Sequence, residues 1–375
     1  MKGLGINVQV VLIAKGENDS RSRAQRLNER IMAERVQGHV YQQKSRIDTV
    51  KGFVAITRLG MVVGTRDASW VFRGLEVKGF TAKGGRFAIG QVDGVALVDA
   101  NTPESPRSLK HPKFAHVHTV EFSKTDPDRI LITSTGADRI FEVNILTGEI
   151  TWEWNPWQHG YSTNKLGLTL AARGDPLPQG ENVRILGFAE AERMMRAGES
   201  VPKGQTWINV VDFKAIEAHY KLEKWQKTTS PNSATYGERP GTVLASLFRT
   251  GQVVEIDKQT GQAKVLIDGL SRPHGPVAIE DGYLISDTGQ GRVLMTDKRL
   301  KTRAVYDFSQ FPLRVGLEER ASEWIQNATQ LNGSLFTAVD SRRNTVFVWD
   351  PQKGIYSAYP FDPNLSLQAV LPFSN

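Results

Sequence analysis

Cysteine is absent from the 375 residues, which excludes disulfides, thiolate metal sites and cysteine nucleophiles. Long apolar runs are absent as well. The run at residues 6–14 falls far short of the ~20 residues a membrane-spanning helix needs. Only Lys2 precedes it, and polar, charged sequence without a small-residue cleavage pattern follows. No secretory leader is therefore expected, and a cytoplasmic location is. The phosphate-binding GxxxxGK[ST] loop, a complete GxGxxG, the GxSxG elbow and HExxH are all missing. Nucleotide-dependent phosphoryl transfer, dinucleotide redox chemistry, α/β-hydrolase catalysis and zincin proteolysis are thus unsupported. What is present is ordinary for a globular chain: 39% apolar and 23% charged residues. The net charge of +7 suits an anionic partner, but lysine and arginine never run beyond two in a row. That dispersal argues against nucleic acid, which is met by clustered positive charge.

The dominant signal is a repeat. One unit runs HTVEF (118–122), RILITS (129–134), DRIFEVN (138–144) and TGEITWEW (147–154). A second takes NVVDF (209–213), GTVLAS (241–246), GQVVEID (251–257) and TGQAKVLI (260–267). A third runs over HGPVAI (274–279), GYLIS (282–286), GRVLMTD (291–297) and TRAVY (302–306). A fourth has NATQL (327–331), GSLFTA (333–338), NTVFVWD (344–350) and GIYSAY (354–359). Each unit holds four β-branched and aromatic runs separated by turn dipeptides such as Thr-Gly and Asn-Gly, the grammar of short antiparallel strands. The second run of each unit is almost wholly apolar, as a strand covered on both faces should be. Such a unit cannot bury both faces alone, whereas radial stacking does so.

Two weaker units precede these, around residues 60–72 and 85–99. The sequence therefore predicts an all-β fold: a β-propeller of six four-stranded blades with helical insertions. Residues 8–14 or 368–372 are candidates for the strand that joins the chain ends. Residues 1–46 are expected to form a strand and a helix (21–35) packed on the propeller of residues 47–375, with insertions at 155–205 and 214–239. Helices are predicted at 190–197 and 214–226 within those insertions.

The stretch 118–154 resembles blades of arylsulfotransferase-type propellers, with their HxVEF start and TGEIxWEW fourth strand. Residues 273–297 resemble blades of NHL-repeat proteins, gluconolactonase-like enzymes and streptogramin lyase. These groups share blade grammar rather than one chemistry. The resemblance implies a ligand site at the mouth of the central channel, using histidines in the lyase and sulfotransferase relatives and Asn with acidic residues around calcium in the gluconolactonase-like ones. No carboxylate opens any of the four aligned inner strands, a departure from the calcium pattern.

The residues that open those strands are His118, Asn209, His274 (or Gly275) and Asn327. His118 and His274 are the candidate catalytic residues, as general base or metal ligand, since imidazole titrates near neutrality. The same rings can instead bond neighbouring backbone. His116 alternates with His118, and two such residues on a strand share a face, so His116, His118 and His274 are the candidate ligands of a divalent metal, the one cofactor considered. Asn209, Asn327 and Arg272 are candidate ligand-orienting groups, and His159 and Tyr161 a candidate lid over the channel. Trp152, Trp154 and Trp157 are candidates to stack on a sugar or aromatic acceptor; alternatively Trp152 and Trp154, alternating on an outer strand, pack against the next blade or the insertion. The expected partner is a small polar or anionic molecule handled by lyase, hydrolase or group-transfer chemistry. The alternative is a protein partner held by a non-enzymatic scaffold.

Overall fold

The computed structural model describes residues 9–17, 51–58, 69–75, 77–102, 105–212, 222–311, 324–343, 345–361 and 365–372. The predicted helices at 21–35 and 214–226, and the weak strand at 60–65, lie wholly or largely outside them. Among the described residues no helix is long and apolar enough to cross a membrane. The fold is an all-β propeller whose residues divide into two compact units. One holds 1–78, 290–293 and 306–375, the other 79–289 and 294–305.

In the first unit the strands nearest the N-terminus are β1 (Gln9–Glu17), β2 (Lys51–Arg58) and β3 (Ser69–Leu75). The second unit begins with β4 (Phe80–Lys83), β5 (Arg86–Gln91), β6 (Gly94–Asp99) and β7 (Arg107–Leu109). Next come β8 (Val117–Phe122), β9 (Arg129–Ser134), β10 (Arg139–Asn144) and β11 (Ile150–Trp154). An insertion follows with β12 (Thr169–Ala172), β13 (Val183–Leu186), helix α1 (Phe188–Ala197) and β14 (Thr206–Val211). The blade grammar resumes at β15 (Pro231–Tyr236), β16 (Thr242–Leu247), β17 (Gln252–Asp257) and β18 (Ala263–Ile267). It continues through β19 (His274–Ile279), β20 (Gly282–Asp287), β21 (Arg292–Thr296) and β22 (Thr302–Asp307). The last strands are β23 (Ile325–Asn332), β24 (Leu335–Asp340), β25 (Thr345–Asp350), β26 (Ile355–Pro360) and β27 (Leu365–Pro372).

Among the described residues five blades of four consecutive strands are present, β4–β7, β8–β11, β15–β18, β19–β22 and β23–β26, in place of the six expected. One further four-stranded sheet draws on both chain ends in the order β27-β1-β2-β3. The two candidates for the strand joining the termini are thus neighbours, with Val11 opposite Leu371.

The second strands behave as their composition demands. All six residues of β16 and of β20 are buried, and five of six in β9. The core of the second unit lies between blades: Leu131, Ile140 and Trp154 meet Val243, Ala245, Val254 and Ile256 of the blade after them. At ~1.5–3 kcal/mol for each fully buried large aliphatic side chain, these interfaces dominate its cohesion. Turns follow the glycine rule where it matters. Gly251 has φ +74, and a Cβ there would lie 2.2 Å from the Leu270 carbonyl oxygen, so only glycine fits both the conformation and the space. In the first unit the buried ring of Phe308 packs 5.0 Å from Phe347 and 5.2 Å from Trp349.

One strand assignment needs correcting. Asn209, Val210 and Val211 do lie in a strand, but that strand, β14, pairs in parallel with β12 and β13 inside the insertion. The first strand of that blade is β15, with the sequence PNSATY. A proline start and mostly small polar residues hid it from a search for apolar alternation. Helix α1 covers the predicted 190–197 and starts two residues earlier.

Candidate functional site

In three blades the start of the first strand is held by a repeated device. The residue ending the second strand of a blade accepts a backbone N–H just ahead of the first strand. Ser134 Oγ accepts from Ala115 at 2.9 Å, Asp287 from Ser271 at 2.7 Å and Asp340 from Trp324 at 3.3 Å. A left-handed residue follows in two of these blades, His116 (φ 50) and Arg272 (φ 56), and Ser230 (φ 48) repeats it ahead of β15. Two residues after each of these stand His118, His274 and Asn232. The local chain path therefore delivers the same position of three blades to the same end of their first strands.

Strand β15 is stitched between β8 and β19. The Ala234 N–H donates to Thr119 Oγ1 at 3.2 Å, and the Gly275 N–H donates to Ser233 Oγ at 3.1 Å. Across this junction the rings of His118 and His274 meet with centroids 5.4 Å apart. His274 is 4% exposed. Its Nδ1 lies 2.8 Å from the hydroxyl of buried Thr288, and the edge of Phe248 packs against its ring at 5.9 Å. Burial drives its pKa down to about 4, against a smaller opposing pull from a hydrogen bond with the Arg272 backbone, so the ring is neutral at pH 7. His118 is half-buried. Further along β8, burial raises the pKa of the Glu121 carboxyl despite hydrogen bonds from Thr235 and the Tyr236 N–H.

Asn232 is the residue that sequence reasoning missed. It is 3% exposed, and its Nδ2 finds no hydrogen-bond partner among the described residues. A buried amide left in that state is rare in native proteins and asks for an explanation. A signal for it existed: Ser230-Pro231-Asn232 aligns with Arg272-Pro273-His274. Equally unforeseen was Asp138, the fully buried acceptor that fixes the segment ahead of β15. It takes the N–H groups of Thr228 (2.8 Å) and Ser230 (2.5 Å), the hydroxyls of Thr228 and Thr229, and the Trp157 indole at 3.1 Å.

Several expected residues stand elsewhere. Asn209 is buried in the insertion sheet, donating to the Leu186 carbonyl at 3.2 Å and accepting from Gln226 at 3.1 Å, so its polar groups are used by that sheet. His159 and Tyr161 form no lid. The His159 ring lies over Gly261 at the β17–β18 turn, and Tyr161 packs edge-on against Trp154 at 6.0 Å. Trp154 and Trp157 are buried, and the Trp154 indole donates to the Gly261 carbonyl of the following blade at 3.0 Å. Asn327 is the third residue of β23 in the other unit rather than its first, and its Oδ1 has no partner among the described residues. Arg272 is exposed beside His274.

The histidine metal set does not form. Among the described residues no group of three or more His, Asp or Glu side chains is placed to hold a metal. His116 precedes β8 in a left-handed turn, its N–H bonded to the Val92 carbonyl. A register shift between Val117 and Val120 then breaks the simple alternation expected to put His116 and His118 on one face.

No protein-family model matches the sequence, and no curated protein matches it. Solved structures do. A chain of a nidogen/laminin complex aligns with TM-score 0.52 and 8% identity over 97% of this chain and 97% of that one. Virginiamycin B lyase from Staphylococcus aureus aligns at 0.43 and 10% over 77% and 71%, and a streptogramin B lyase at 0.41 and 14% over 76% and 83%. What this chain has in common with its structural neighbours is the β-propeller fold.

Proposed function

We propose that the chain binds a small polar or anionic molecule where β8, β15 and β19 begin, and that His118 and His274 serve proton transfer on it, in a lyase, hydrolase or group-transfer reaction. The observation that carries this reading is the 5.4 Å approach of two imidazoles from separate blades. His118, the less buried ring, is the one that meets the ligand. His274 backs it, held neutral by burial and oriented at Nδ1 by Thr288. A neutral imidazole carries one ring nitrogen that can accept a proton and one N–H that can donate. The Asn232 amide supplies an unsatisfied donor at the equivalent position of β15. Exposed Arg272, together with Arg249, whose Nε donates to Ser230 Oγ at 3.2 Å, adds the positive charge that favours an anion. Two imidazoles make no complete metal site, so the chemistry proposed is acid–base.

The test is a thermal-shift screen with small carboxylates, phosphate monoesters and sulfate monoesters. A ligand present at about 100 times its Kd should stabilise by about 2.7 kcal/mol. That stabilisation should vanish in His118→Ala and in Asn232→Ala. Asn232→Ala alone should leave the unliganded midpoint unchanged or raise it, because it removes a polar group that gains nothing from folding. Equal ligand stabilisation in both variants, or a destabilised Asn232→Ala that still binds, would refute the site.

A further inference from the structure

A second cleft lies between two blades of the second unit, with a volume near 340 Å³ and neither His118 nor His274 in its lining. Its walls come from β10 and β11 on one side and from the β16 and β17 ends on the other. Trp152 of β11 stands directly opposite Glu142 of β10, so both side chains rise from the same face. The indole N–H donates to the Lys258 carbonyl at 3.0 Å, which fixes the plane of the ring. The Lys258 ammonium lies 5.6 Å from the ring centroid, so an apolar plate and a strong donor form one surface. Glu142, only 3% exposed, accepts from Lys258 at 2.7 Å, Arg129 at 2.9 Å and Thr151 at 3.1 Å. Exposed Gln259 and the half-buried Asp257 complete the polar wall.

The charge of this lining is balanced. Arg129 and Lys258 are matched by Glu142 and Asp257, and both cations already grip Glu142. A phosphate or sulfate would have to pull them from a buried carboxylate, which would then lie unpaired at a cost of several kcal/mol. A neutral polyhydroxylated ligand meets no such obstacle. Its hydroxyls exchange with water on the planar donors and acceptors, while its C–H face covers the indole. The volume is at the small end of ligand sites, which start near ~300 Å³, and admits a mono- or disaccharide. We propose that this cleft binds a neutral carbohydrate, with Trp152 as its stacking platform and Gln259, Asp257 and the Glu142 cluster as its hydrogen-bonding wall.

Saturation-transfer NMR and tryptophan fluorescence on the full chain test this, with glucose, galactose, N-acetylglucosamine, maltose, cellobiose and lactose as probes. At least one sugar should bind saturably, while inorganic phosphate and sulfate should not compete. Trp152→Ala should weaken binding about tenfold, the loss of one stacked ring. Gln259→Ala should weaken it about threefold with an unchanged melting temperature, and His118→Ala should leave it intact. If Trp152→Ala fails to fold, Trp152→Phe, which keeps a ring but loses the indole N–H, and Gln259→Ala carry the test. Absence of binding by every sugar, wild-type affinity in these variants, or displacement of the sugar by phosphate would overturn the proposal.

Discussion

Asp138→Ala is expected to destabilise the protein by about 4 kcal/mol, among the largest effects of any single substitution. The carboxylate is fully buried and receives three backbone N–H groups, two hydroxyls and an indole N–H. Alanine strands all of these donors in a dry interior, where each unmade bond costs ~1–3 kcal/mol before relaxation and water entry reduce the sum. It also removes a neighbouring negative charge from Arg139, 1% exposed and still paired with Glu153 at 3.3 Å, and from Arg249. Asp138→Asn keeps the shape but turns one acceptor into a donor facing donors, so about half the loss is expected. The midpoint of urea unfolding checks both variants. A shift worth less than about 1 kcal/mol for alanine would mean that the segment ahead of β15 is held by something else.

The second expected result concerns acid. A histidine in the unfolded chain takes up a proton near 6.5, whereas His274 in the folded protein does so only near 4. Below pH 6.5 the unfolded state therefore binds a proton that the folded state refuses. The stability tied to His274 is complete above pH 6.5 and is lost as the pH falls towards 4, by about 3 kcal/mol at ~1.4 kcal/mol per unit. Glu121 works in the opposite sense. Its raised pKa makes the folded state the better proton acceptor, so its contribution is present below 4.5 and fades as the pH rises through its folded value. The two partly offset one another in the lower part of the window. His274→Gln should flatten the pH dependence of the unfolding midpoint between 6.5 and 4, while Glu121→Gln should steepen it. An unchanged slope in His274→Gln would contradict a buried, neutral imidazole.

The blades were legible in the sequence because their second strands are buried on both faces and so must be apolar throughout, as β9, β16 and β20 are. The placement of His118 and His274 at equivalent strand starts followed from the same spacing. Strand β15 was not legible. Its PNSATY sequence is buried by neighbouring strands rather than by its own hydrophobicity, and a proline opens it. Asn209 was misplaced for the converse reason, since NVVDF has every mark of a blade strand, yet Asn209, Val210 and Val211 pair instead within the insertion. The seat of His159 on Gly261 and the bonds from Asp138 to residues 228–230 join distant parts of the chain. No local pattern encodes such contacts. The failure of His116 to join a metal set turns on one left-handed dihedral, which composition does not reveal.

The central claim is that two imidazoles from separate blades face each other and that one of them stays neutral well into acid. Nitrogen-15 NMR of the histidine side chains, titrated from pH 8 to about 4 in the wild type and in His118→Ala, tests it directly. The account predicts that the His274 ring keeps a single neutral tautomer until about pH 4, with chemical shifts that move when the His118 ring is removed. A His274 that titrates near 6.5, like an imidazole in water, and ignores the His118 substitution would contradict it.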